Sequence, residues 1–122
     1  MYQGHTTLEV VGQLLIAFLF LGTLAINATM KVKQHRDRMV AAGVPAAGAV
    51  LWFGFAMQLV GGLSIALDTR TDVGVPILIV FLVVATAIFH RWWTVEDPIR
   101  RHLHQSFVFC NTALIGALLL LI

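Results

Sequence analysis

The stretch VVGQLLIAFLFLGTLAINATM, Val10–Met30, runs its whole length without an Asp, Glu, Lys or Arg. A bilayer core of about 30 Å needs roughly 20 apolar residues as a helix, with about 17 as the lower limit. Three more uncharged stretches follow, Met39–Leu67, Val73–Phe89 and Gln105–Ile122, and the third only just reaches that limit. A charge at the bilayer centre costs at least about 2.5–3.5 kcal/mol, which gives the charge-free runs a physical cause. The chain is therefore expected to be an all-α membrane protein. Its expected architecture is a four-transmembrane-helix bundle, with helices over about 8–30, 46–67, 73–90 and 105–122 and both termini outside.

Composition points the same way. The chain is 59% hydrophobic and 11% charged, against about 25% charged in a typical soluble domain. Four spans and their loops consume nearly all of its 122 residues, so residues 1–122 read as one membrane domain with no room for a soluble catalytic one. The formal charge of +2 comes from basic residues at helix ends. That placement reads as topology, and nucleic acid is not expected as a partner. A single cysteine, Cys110, lies in the fourth apolar stretch and allows no intrachain disulfide. The first apolar run is not preceded by the positive region of a signal peptide, since Met1–Thr7 holds no Lys or Arg, and it reads as a retained helix.

Orientation follows from the basic residues. Lys31, Lys33, Arg36 and Arg38 lie in the first connection and Arg91, Arg100 and Arg101 in the third, leaving only Arg70 in the second. The side with the seven is expected to be cytoplasmic. Gly43-Val44-Pro45 reads as a start signal for the second span, and Pro76 as a first-turn proline of the third. Trp92 and Trp93 suit the headgroup layer. Asp97-Pro98 reads as N-cap and first residue of an interfacial helical turn over about 98–104. Small residues allow close approach of helices in lipid, and Gly61-Gly62, Ala113 with Ala117, and Ala25 with Thr29 offer such faces.

The spans contain amides, Gln13, Asn27, Gln58 and Asn111, in place of acids and bases. Gln58 sits mid-span and requires a partner inside the bundle. It either holds a neighbouring helix or contacts a ligand such as a quinone carbonyl, and we favour the first. Asn27 and Asn111 fall at similar depth near the cytoplasmic side, where they can bond each other or line a shared pocket. His90, His102 and His104 cluster on that side too. His102 and His104 point to different helix faces, and no second Cys or nearby carboxylate completes a ligand set, so neither metal nor haem is expected on this chain alone.

The order of short motifs resembles the DoxX/DoxD-like family of small integral membrane proteins. It runs Gly43-Val44-Pro45, Gln58-Leu59-Val60-Gly61-Gly62, Thr69-Arg70, Phe89-His90 and Asn111-Thr112-Ala113-Leu114-Ile115-Gly116. The resemblance implies a four-helix subunit of a prokaryotic cytoplasmic membrane. It also implies association with redox-stress complexes or thiosulfate:quinone oxidoreductase activity, with Gln58, Asn111, His90 and Asn27 as the polar contacts to a quinone. Relatives commonly carry a Glu where this chain has Gln58 and a Lys where it has Cys110. Both ionisable intramembrane groups are replaced by neutral ones, and such groups mark functional sites by default. The expected function is thus an accessory subunit of a larger membrane redox or energy-converting complex, alongside other membrane subunits or further copies of itself. A quinone-linked oxidoreductase subunit is the alternative. A small proton-coupled transporter is the remote one, because it needs an embedded acid.

Overall fold

A computed structural model describes residues 2–122. The order is α1 (Thr7–Met30), α2 (Val32–Ala41), α3 (Ala47–Ala66), α4 (Thr71–Phe89), a 3₁₀ turn (Trp92–Thr94) and α5 (Pro98–Leu119), with no strand among the described residues. Three segments are long and apolar enough to cross a membrane: Thr7–Met30, Ala47–Ala66 and Thr71–Thr94. α5 is 22 residues long, but its first two turns hold Arg100, Arg101, His102 and His104. Its apolar part is correspondingly shorter than the other three.

Local sequence explains most boundaries. Thr6 and Glu9 form a capping box on α1: the Glu9 N–H donates to Thr6 Oγ1 at 3.2 Å and the Thr6 N–H to Glu9 Oε2 at 2.7 Å. Asp97 caps α5 by accepting from the Ile99 N–H at 3.1 Å, with Pro98 as first helical residue. The turn expected over 98–104 is thus continuous with the fourth apolar stretch as one helix. The first connection, read from its charges as a loop, is instead the helix α2. Lys31 serves as both C-cap of α1 and N-cap of α2, Lys33 pairs with Asp37 at 2.7 Å, and Met39 buries itself against Ala47, Leu51 and Phe55.

Two proline expectations need correction. Gly43-Val44-Pro45 closes α2 and does not open α3. Gly43 has φ +84°, its N–H donates to the Val40 carbonyl at 3.0 Å, and the Val44 N–H donates to the Met39 carbonyl at 3.0 Å. This is a Schellman ending, in which glycine supplies the left-handed residue. Pro76 lies inside α4 rather than in its first turn, because the helix begins at Thr71, ahead of the apolar run. The missing N–H leaves the Asp72 carbonyl without its helical donor.

α3 is the central helix, packed between α1 and α4, while α5 packs mainly on α4. The paired glycines explain that position. A Cβ at Gly61 would strike the Leu78 side chain of α4, and one at Gly62 would come 2.7 Å from Leu21 Cδ2 of α1. Each glycine admits one neighbour. Gly74 repeats the device from the α4 side, against Ser64. Ala113, Ala25 and Thr29 are exposed and Ala117 half-buried, so those small residues make no comparable approach.

Candidate functional site

Two apolar clusters divide the molecule along its length. Ala17, Phe20, Ile65, Val75, Leu78, Leu82 and Leu118 form one near the termini. Met39, Ala47, Leu51 and Phe55 form the other, against α2. At the terminal end the chain is tied shut by polar contacts. Gln13 Nε2 donates to the Ile65 carbonyl at 2.9 Å and to Asp68 Oδ1 at 3.0 Å. The Tyr2 hydroxyl donates to the Ala66 carbonyl at 2.8 Å, and the Tyr2 N–H to Asp68 Oδ2 at 3.1 Å. The Gln13 amide, the Tyr2 N–H and nearby His5 hold the Asp68 carboxyl below its ordinary pKa.

Toward the α2 end the helices leave a cavity of about 430 Å³, lined by residues of all five helices. Small-molecule sites typically span about 300–1,000 Å³. α1 and α5 both line this space without packing along one another. Its walls are apolar, with Leu51, Phe55, Phe81, Leu82 and Leu114 among them.

The polar groups within it sit in two tiers. Deepest is Gln58, buried, whose Nε2 donates to the Phe20 carbonyl at 3.3 Å and Thr23 Oγ1 at 3.2 Å. Both acceptors belong to α1, so the amide bridges α3 to α1. Asn111 Nδ2 donates to Thr86 Oγ1 at 2.9 Å, joining α5 to α4. Asn27 and Asn111 both line the cavity, one of the two outcomes the depth argument allowed, and they do not bond each other.

The second tier forms the mouth. Arg38 of α2 donates from a terminal nitrogen to the Phe89 carbonyl at 3.0 Å, its guanidinium carbon 5.0 Å from the Phe89 ring centre. Loss of solvent around the guanidinium, and then the nearby Arg100 charge, lower its pKa. His35 packs edge-on against the same ring at 5.3 Å. His90 Nδ1 and His104 Nδ1 are 3.1 Å apart, so one imidazole must present an N–H there and the other a bare nitrogen. His90 also stacks on Phe107, with centroids 5.0 Å apart. Burial, followed by the Arg38 and Arg100 charges, holds the His104 pKa below its usual value.

The structure thus gathers Gln58, Asn27, Asn111 and His90 around one hollow. His102 is exposed and stands apart from the His90–His104 pair. Among the described residues, no three His, Cys, Asp or Glu side chains converge to hold a metal ion. Sequence reasoning missed Thr23 and Thr86, the partners of the two amides, and the role of Arg38. A helical threonine usually satisfies itself on its own backbone, as Thr23 does with the Leu19 carbonyl at 2.6 Å, so nothing in the sequence marks it as an interhelical acceptor. Arg38 looked like one more topological charge. No family model, curated protein or solved structure matches this chain.

Proposed function

We propose that the chain crosses the prokaryotic cytoplasmic membrane four times, through α1, α3, α4 and α5. Both termini lie outside, and α2 and the Trp92–Thr94 turn lie on the cytoplasmic side. In this setting it is a DoxX-like accessory subunit of a larger redox or energy-converting membrane complex, without catalysis of its own. The Lys/Arg asymmetry supports the orientation. The observation that carries the subunit role is α5, whose only buried residue is Leu118. Helices in lipid associate through close packing and polar contacts, since the tails are as apolar as the side chains. A helix that gives so little of itself to its own chain has its remaining faces, with exposed Ile99, Leu103 and Phe109, free for another subunit or a second copy.

The neutral depth of the cavity fits this reading, because Gln58 holds two helices together. The cavity itself favours a second reading, a quinone-linked oxidoreductase subunit, in which a quinone ring would meet Asn27 and Asn111. Purification in mild detergent followed by mass spectrometry separates the two. Stoichiometric co-purifying membrane subunits are expected. A lone chain that reduces or oxidises a quinone would overturn the accessory role.

A further inference from the structure

The mouth of the cavity is cationic, and no acid faces it. Arg38 and His35 of α2 and His90 after α4 line it, and His104 of α5 stands 3.1 Å from His90. Of the acids near this end, two are engaged elsewhere and Glu96 is exposed and outside the cavity lining. The Asp37 carboxylate, next to Arg38 in sequence, takes Lys33 at 2.7 Å, and Asp97 caps α5. Arg38 makes its one side-chain hydrogen bond to the Phe89 carbonyl, which leaves other guanidinium N–H groups unpaired among the described residues. Behind this rim lies the apolar hollow, with Leu51, Phe81 and Leu114 in its walls. A cationic rim over an apolar cavity is complementary to an amphiphile with an anionic head.

We propose that this cavity seats an anionic phospholipid of the surrounding bilayer, its phosphate on Arg38 and an acyl chain in the hollow. Arginine matches phosphate geometry through its fork of N–H donors. A neutral quinone would meet the amides but leave the rim uncompensated. His90 of the rim accepts at its carbonyl from the Trp92 N–H at 3.0 Å, and Trp92 and Trp93 suit the headgroup layer. The proposal rests on the membrane placement given above and not on the redox-complex assignment. Fractionation of the protein with membranes tests that placement separately.

The experiment uses the full chain in a neutral maltoside detergent, titrated with phosphatidylglycerol or with phosphatidylcholine of the same chains, and read by native mass spectrometry and thermal melting. A single phosphatidylglycerol adduct that raises Tm is expected, with phosphatidylcholine giving neither. Arg38→Gln should weaken the adduct roughly tenfold or more, as loss of a charge-assisted phosphate contact would. Lys33→Gln, an equal change of charge at an exposed site outside the cavity lining, should leave it intact. Ala85→Phe, which fills part of the cavity, should weaken the adduct while keeping Arg38. Equal binding of phosphatidylcholine, or loss of the adduct in Lys33→Gln to the same degree, would overturn the proposal. So would full potency of glycerol 3-phosphate alone, which would make this a site for the free anion.

Discussion

Gly61→Ala tests the packing that builds the bundle. The new Cβ would fall against the branch of Leu78, 2.7 Å from Cδ2 and 3.1 Å from Cδ1, with Cγ closer still. Leu78 is fully buried, so relief requires either a new side-chain rotamer in a filled core or a wider spacing of α3 and α4. Overpacking of this kind costs about 1–3 kcal/mol. Alanine recovers up to about 1 kcal/mol of helix preference over glycine. The expected net loss is therefore about 0–2 kcal/mol, against a gain of up to about 1 kcal/mol where the methyl meets nothing. Gly62→Ala meets the half-buried Leu21 side chain at 2.7 Å, which can swing aside, so its loss should be smaller. Gly116→Ala meets nothing within 4 Å and should be neutral or stabilising. The assay is reversible unfolding of the detergent-solubilised protein by SDS. Leu78→Ala closes the cycle, because it should lose about 2–5 kcal/mol in the wild-type background but less alongside Ala at 61, whose methyl enters the vacated space. If Gly61→Ala were as stable as Gly116→Ala, or if the two changes simply added, the close α3–α4 approach would be refuted.

Gln58→Leu should cost no more than about 1.7 kcal/mol and nearer 0.6, the range for interhelical hydrogen bonds in membranes, and it should leave any assembly intact. Loss of a quinone-linked activity at unchanged Tm would instead assign Gln58 to chemistry. Asp68 has a lowered folded pKa, so the stability it contributes is present above the ordinary carboxylate range and lost as pH falls through the folded value. Asp68→Asn should flatten the acid limb of a melting-temperature profile, and an unchanged limb would show that the Gln13–Tyr2 clamp does not depend on the charge. A cysteine introduced at Thr71 should react with an impermeant reagent in intact cells. Labelling only after permeabilisation would reverse the topology.

The helices were legible because lipid-compatible segments announce themselves by what they lack. Charge-free runs marked α1, α3 and α4, and the Asp97–Pro98 pair marked the residue at which α5 begins, though it was read as opening only a turn. What failed was the reading of charge as loop. Lys31–Arg38 looked like a connection, yet Lys33 and Asp37 stand four apart as a helix wants, and Met39 supplies a buried anchor. Proline misled for a related reason. Its position was read against the edge of apolarity, and α4 begins before that edge. The site was half legible. Depth placed Asn27 and Asn111 at one level, but which hydroxyl each amide finds depends on helix rotation, which no single-sequence pattern records.

Hydrogen-bond direction adds a constraint on what Gln58 can do. Both of its bonds are donated, one to a backbone carbonyl and one to a threonine oxygen whose own proton points to the Leu19 carbonyl. An ionised carboxylate has no proton to give either acceptor and would set its charge against them in a buried site. A Glu at this position, the residue the resembled family commonly carries, would therefore have to be protonated, or α1 would have to turn to present different groups. Gln satisfies the two acceptors of this α1 without ionising. Gln58 and Thr23 act together, and they fix α1 on α3 at the level where the cavity begins. The terminal end is closed by Gly61, Gly74 and the Asp68 clamp, while below Gln58 the helices hold apart around a hollow. That division puts the rigid half of the molecule at the terminal end and leaves the receptive half at the basic α2 end.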